Sequence, residues 1–261
     1  MVQFVAMVGE SSSVDLAIVV PLRHDWDRLA PLLSTLAPWC AANTSADPAA
    51  DDAKYQVQLW LCAADEPSTP PPAWVHWVRA EQPGRGQQIA QAIDAVSARY
   101  YWILHADSVL SATVLDQLAA VVLAPAEQWG RFDVELESSR PLVKLVERMM
   151  NARSRLTGIA TGDQGMFVHR SLLTRVGGVP RQALMEDIEL SSRLRRLQAP
   201  LCLPGPLQTS ARRWHRHGAV RTIVAMWRFR FRYWLGADAE VLAREYYGVG
   251  AAPSLRSPES S

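Results

Sequence analysis

The 261-residue sequence predicts an α/β protein, a mostly parallel sheet flanked by helices. Three observations carry that expectation. Short β-branched and aromatic runs alternate with stretches whose apolar residues recur at helical spacing through the first half of the chain. One run, Tyr101-Trp-Ile-Leu104, is apolar throughout and stops at His105, Ala106, Asp107 and Ser108, the pattern of a strand buried on both faces. The composition is globular, with 49% hydrophobic and 20% charged residues, and the length allows a substantial core.

In order, Leu16–Pro21 reads as the first strand. A short helix begins near Asp27 and continues from Pro31 to Ala37, and Ala41 to Asp52 reads as a loop of Ala, Asp, Ser and Pro. Gln56–Cys62 places Val57, Leu59 and Leu61 in alternation and suits a second strand. A proline-rich connection, Pro67 to Pro72, leads to a third strand at Trp74–Val78. Gln87–Arg99 carries Ile89, Ile93 and Val96 on one helical face. Tyr101–Leu104 is the fourth strand and Ala112–Leu123 the helix after it. This βαβα order implies parallel strands with helices on both faces. Afterwards the pattern loosens: a strand at Arg131–Leu136, a helix at Leu142–Leu156, a short strand at Gly165–His169 and a turn at Gly177–Pro180. Glu186–Leu197 reads as a helix, with Glu189 and Arg193 spaced for an i,i+4 pair. Arg212 to Tyr247 is helical and rich in arginine and aromatics, and residues 251–261 read as a disordered tail.

A formal net charge of +1 excludes the basic excess of a generic nucleic-acid binder. Cys40, Cys62 and Cys202 are odd in number and lack metal spacing, so they read as reduced thiols of a cytosolic protein. No apolar run approaches the roughly 18–20 residues that span a bilayer, and Met1 to Ser13 lacks the layout of a signal peptide. The expectation is a cytoplasmic protein, at most peripheral to the inner face of the membrane.

The chemistry starts at Asp107. In an open α/β sheet, ligands bind beyond the carboxyl ends of the strands. An Asp there can hold a divalent cation, and the cation a diphosphate. Capping the turn after a strand is the competing role for the same residue. Leu184-Met-Glu-Asp-Ile-Glu189 supplies a second acidic cluster, although carboxylates are favoured at any helix start by the dipole. Gly162-Asp-Gln-Gly165 lies between them. Together these motifs suggest sugar transfer from a nucleotide donor.

The ordered set of motifs resembles the nucleotide-sugar glycosyltransferases of family 2, which have the GT-A fold, and within them a soluble bacterial branch. The matching pieces are Val19-Val-Pro21, Gly84-Arg-Gly86, Leu104-His-Ala-Asp-Ser108, Gly162-Asp-Gln-Gly165, Gly177-Gly-Val-Pro180, Leu184-Met-Glu-Asp-Ile-Glu-Leu190, and Arg212-Arg-Trp214 with His217-Gly218. They cover roughly positions 15 to 247. The resemblance implies one GT-A-like catalytic domain over residues 1–250, with a nucleotide-binding half at about 14–125 and an acceptor half at about 126–250.

It also implies roles. Asp107 matches the last acid of the family's Asp-x-Asp motif and would bind Mg²⁺ or Mn²⁺, with His105 in the place of the first acid, a variant of this branch. Asp187 matches the second acid of the Glu-Asp motif, the general base of an inverting transfer, and Glu186 would orient the acceptor or the loop. Arg85 sits where the family places a basic residue near the donor diphosphate; a solvated turn arginine is the competing reading. Asp163 and Gln164 match an acceptor-side loop that holds sugar hydroxyls, or form a simple turn. His217 would complete the metal shell or lie as a surface histidine, and Trp214 would stack on a sugar or base. Pro21 closes the first-strand motif. At the end of the second strand the family's nucleobase-binding Asp is missing, and Asp65 would take that role from a shifted position or the contact is lost. In the first-strand motif Asp25 would substitute where Asn-Glu is usual. A UDP-sugar is the default donor. The acceptor and the oligomeric state stay open.

Two other readings stand beside this one. A nucleotidyltransferase shares the layout, but Pro21-Leu-Arg-His-Asp25 lacks the glycines that class shows after its first strand. A non-catalytic GT-A-like binding protein accounts for the altered base-binding positions. Met226 to Leu235 alternates aromatics with arginines, which fits a helix packed near the active site or one lying at a membrane surface.

Overall fold

A computed structural model describes residues 14–23, 25–44, 55–67, 69–82, 84–209 and 219–247. Seven strands form one sheet: β1 (Val14–Leu22), β2 (Val57–Ala63), β3 (Val75–Arg79), β4 (Ala98–Ile103), β5 (Trp129–Leu136), β6 (Phe167–His169) and β7 (Leu201–Thr209). Their order is β3-β2-β1-β4-β6-β5-β7. All pairings are parallel except those of β6, which runs antiparallel to both β4 and β5.

The described helices are α1 (Ala30–Thr44), α2 (Arg85–Asp94), α3 (Ala112–Leu123), α4 (Pro141–Thr157), α5 (Arg170–Arg175), α6 (Glu186–Leu194), α7 (Ala219–Trp234) and α8 (Ala239–Tyr247), with 3-10 turns at Trp26–Arg28 and Gly162–Gln164. β1 shows why the layers form. Leu16, Ile18 and Val20 point to one face, against Leu32 and Leu36 of α1 and Val114 and Leu118 of α3. Ala17 and Val19 point to the other, in a cluster with Ile89 of α2 and Leu190 and Leu194 of α6. A strand covered on both faces needs apolar residues at both parities, which a continuous run such as Leu16–Val20 supplies.

Beyond Gly130, β5 has no β6 partner, and its backbone is satisfied by α4 instead. Val134 donates its N–H to Asn151 Oδ1 at 2.9 Å and accepts from Asn151 Nδ2 at 3.0 Å; Leu136 donates to Glu147 Oε2 at 2.9 Å. Buried strand backbone must find such partners, so a three-residue β6 suffices.

Several boundaries differ from the sequence expectation. α2 stops at Asp94, and Ala98 and Arg99 belong to β4 instead. α1 runs on through Ala41 to Thr44, where a loop was expected. The short α5 lies between the stretches read as strand (Gly165–His169) and turn (Gly177–Pro180), where the sequence reading assigned no element. β7 went unrecognised because Pro204, Gly205 and Pro206 interrupt it; it tolerates them by pairing with one neighbour and shifting register between Phe132 and Asp133 of β5. The expected long C-terminal helix is broken at Gly236, whose φ of 91° lies in the left-handed region, and so becomes α7 and α8. Residues 212–218 and the tail 251–261 lie outside the described residues.

Candidate active site

The strand order reverses direction of growth between β1 and β4, and in an open sheet such a switch point opens a crevice at the carboxyl ends. Four segments meet there: the start of α2, the turn after β4, the Gly162–Gln164 turn and the start of α6. With α7 and α8 they enclose a cavity of about 180 Å³, whose lining includes Arg85, His105, Asp163, Glu186, Asp187 and Arg230.

Arg85 is the first residue of α2, after Gly84 at φ 119°. Gly86 follows because the 180–182 loop crosses here: a Cβ on Gly86 would stand 2.4 Å from the Pro180 carbonyl oxygen. The Arg85 guanidinium forms a buried ion pair with Glu186. Its Nη2 lies 3.4 Å from His105 Nε2, and its Nε is buried with no hydrogen-bond partner. Burial opposes the charge on Arg85, but Glu186, Asp187 and Asp163 more than offset that and hold its pKa above the ordinary value. Burial pushes the Glu186 carboxyl up; Arg85 pulls it down and the neighbouring Asp187 raises it.

Asp187 is fixed by backbone. Its Oδ2 accepts the Gly162 N–H at 2.7 Å and its Oδ1 the Ile188 N–H at 2.8 Å, leaving a lone pair on each oxygen. Met185, just before this acid pair, has φ 65°, the only positive φ outside glycine among the described residues. Strain of this kind, of order 1–3 kcal/mol, is held where the surroundings dictate a geometry. Gly162 is closely packed from the other side: a Cβ there would lie 2.7 Å from Arg85 Nη2 and 2.8 Å from His105 Nε2.

His105 and Asp107 occupy the turn after β4. The His105 N–H donates to Ser108 Oγ at 3.1 Å, and the bridge between Val109 and Gln208 ties the turn to β7. His105 Nε2 lies 3.5 Å from Asp163 Oδ1. Among the described residues no group of three or more His, Cys, Asp or Glu is placed to hold a metal ion. One carboxylate beside a histidine is a donor set that fits Mg²⁺ or Mn²⁺ when phosphate oxygens and water fill most of the shell.

The residues expected from sequence therefore fall into groups. Arg85, His105, Asp163, Glu186 and Asp187 converge on the cavity. Asp107 stands in the same turn as His105 but does not line the cavity. Pro21, near the end of β1 beside Cys62, and Asp65, just past β2, also lie outside its lining. Asp25 is committed to a local ion pair with Arg28 at 2.5 Å. Gln164 is fully buried: its Oε1 accepts from the Thr161 N–H at 3.1 Å, and its Nε2 lies 3.5 Å from Asn151 Oδ1, so its amide closes the turn. Trp214 and His217 lie outside the described residues.

Sequence reasoning missed Thr161, Phe229, Arg230 and Tyr246, all in the lining. Met226 to Trp234 lie on α7, and Met226, Phe229 and Arg230 line the cavity, yet alternating Arg and aromatic residues give no hint which arginine turns inward. Burial lowers the pKa of Arg230, with Asp187 and Asp163 acting against it. Arg153 of α4 is a further buried cation. Its Nε and Nη2 lack partners, and burial, with the charge of Arg230, pushes its guanidinium down to about 10.

No family model matches the chain, and no curated protein sequence matches it. Solved structures do. S. aureus TarS aligns at TM-score 0.53 and 12% identity over 75% of this chain and 36% of its own. TarS 1–349 in complex with UDP aligns at 0.53 and 12%, over 75% of this chain and 60% of its own. The mannosyltransferase PcManGT from Pyrobaculum calidifontis, solved with GDP-Man and Mn²⁺, aligns at 0.49 and 15%, over 90% and 70%. This chain spans 36% to 60% of the TarS chains. The likeness to TarS establishes the fold alone: seven mostly parallel strands flanked by helices.

Proposed function

We propose that this chain is an inverting glycosyltransferase of the GT-A type that moves a sugar from a nucleoside-diphosphate sugar, with UDP-sugars the first to test, to a hydroxyl acceptor. The observation that supports it most is the convergence of Asp187, the Arg85–Glu186 pair, His105 and Asp163 on one cavity at the switch point. TarS, with the same fold, has been solved with UDP and with UDP-GlcNAc.

In this reading Asp187 accepts the proton of the acceptor hydroxyl as its oxygen bonds to the anomeric carbon and the bond to the diphosphate breaks. The two N–H bonds that Asp187 accepts fix its direction before substrate arrives. Asp107 would hold the divalent cation, which when bound neutralises charge on the leaving diphosphate. Arg85 adds a positive charge whose unpartnered Nε can take a phosphate oxygen. Glu186 acts through Arg85, as its counter-charge. Asp163 faces the cavity and offers acceptors to sugar hydroxyls.

Calorimetric titration with UDP, GDP, ADP, CDP and dTDP, with and without Mn²⁺, tests the donor half. Metal-dependent binding of one diphosphate that disappears in Asp107→Ala is the expected result. Release of pyrophosphate during turnover would identify a nucleotidyltransferase instead. Absence of any nucleotide binding by the folded protein would leave a non-catalytic binding protein.

A further inference from the structure

The helix that walls the cavity has a second face that the cavity does not use. Met226, Phe229 and Arg230 of α7 line the cavity, and the Tyr233 hydroxyl on the same side lies within 3.4 Å of Gln182 and Glu189. Trp227, Phe231, Trp234 and Leu235 follow one another at steps of four, three and one, which at 3.6 residues per turn gathers them into one stripe on another side. They are 61%, 59%, 79% and 64% exposed. Arg228 borders the stripe on one side, mostly exposed and reaching Glu245 only at 3.5 Å, while Arg230 on the other side is turned into the cavity. From Leu190 to Ala237 the sequence holds ten arginines and no Asp or Glu. The neighbouring α4, on whose buried residues Met226 packs, exposes a row of its own: Leu142, Leu145, Met149 and Leu156.

We infer that this face of α7 docks on an anionic lipid bilayer, its aromatic stripe entering the headgroup region and Arg228 at its edge meeting a lipid phosphate. A helix with Trp, Phe and Leu on one side and arginines beside them is built to lie in an interface. Tryptophan favours that depth because its ring is apolar and its N–H is polar. A clustered apolar surface of this kind marks a contact site. Charge selects the occupant: an exposed arginine favours an anionic leaflet by about fivefold, whereas a two-fold contact between copies would bring the Arg228 side chains of the two copies toward each other. Among the described residues no helix is long and apolar enough to cross a membrane, so the contact is peripheral. Docking does not depend on the transferase reading, since it requires no turnover.

The test is flotation of the full chain with phosphatidylcholine vesicles, with and without phosphatidylglycerol. Partition is expected to be at least about tenfold higher on the anionic vesicles and to fall with added salt. Replacing Trp227, Phe231 and Trp234 together by Ala should abolish it, and Arg228→Gln should weaken it about fivefold. None of these side chains lines the cavity, so nucleoside-diphosphate binding by the variants should stay at the wild-type level. Equal partition on neutral and anionic vesicles, or unchanged binding of the triple variant, would overturn the proposal. So would absence of vesicle binding together with self-association, seen by sedimentation, that the triple variant removes; the stripe would then belong to a second copy of the chain.

Discussion

Removing the Glu186 carboxylate strands a buried charge. Arg85 and Glu186 are both largely shielded from water, and each is the other's main compensation. Breaking such a pair from one side costs about 3–5 kcal/mol, because the remaining ion stays desolvated. Glu186→Ala is therefore expected to lower stability by about that amount in urea unfolding. A loss below about 1 kcal/mol would mean that Arg85 finds water or another partner. Asp187→Asn should behave differently. Asparagine can still accept one of the two N–H bonds, so the fold and nucleoside-diphosphate binding should persist. The amide cannot take up a proton, so turnover should drop about 10²–10⁴-fold. Comparing calorimetric binding with initial rates separates the two effects. The acid pair itself was legible in the sequence, but its division of labour was not: Glu186 meets an arginine 101 positions earlier in the chain, which no local pattern announces.

At the scale of elements, the site depends on glycines that let segments approach. A methyl on Gly162 would press on both Arg85 and His105 and displace the N–H given to Asp187. Since misplacement by about 1 Å can cost about 10²-fold in rate, Gly162→Ala should reduce turnover far more than it reduces melting temperature. Equal, small losses in both would show that the turn has slack. The sequence revealed elements whose pattern is continuous, such as β1, β4, α3 and α4. It concealed β7, where two prolines and a glycine mimic a loop, and it overran α2, because Val96 continues the helical spacing after the backbone has turned toward β4. The part of the site carried on short motifs was readable, since those motifs stand at element ends. Arg230 was not, because four arginines between 221 and 232 leave the choice to tertiary packing.

For the whole molecule, the switch-point topology puts the candidate site at one end of the sheet while stability is set across all of it, and pH reports on the second. His169, at the end of β6 where it meets β4, caps α5 by accepting the Ser171 N–H at 3.2 Å. Burial lowers its pKa below the ordinary 6.5; Glu127 opposes this, and Arg99 and Arg170 add to it. His76 on β3 is lowered by burial as well and stacks on Trp60 at 4.6 Å. In both cases the unfolded chain binds a proton more readily than the folded one. Stability is therefore fully present above about pH 6.5 and is lost as pH falls through the folded values. Glu135, whose pKa is lowered by hydrogen bonds from Gln208 and Lys144, adds its own loss only below the ordinary carboxylate value of 4.5. The two windows do not coincide, so melting temperatures between pH 8 and 5 should report the histidines. His169→Asn keeps a capping acceptor and removes the titration, and its melting curve should decline less over that range than the wild type. If the two slopes match, His169 takes no part in the acid sensitivity of the fold.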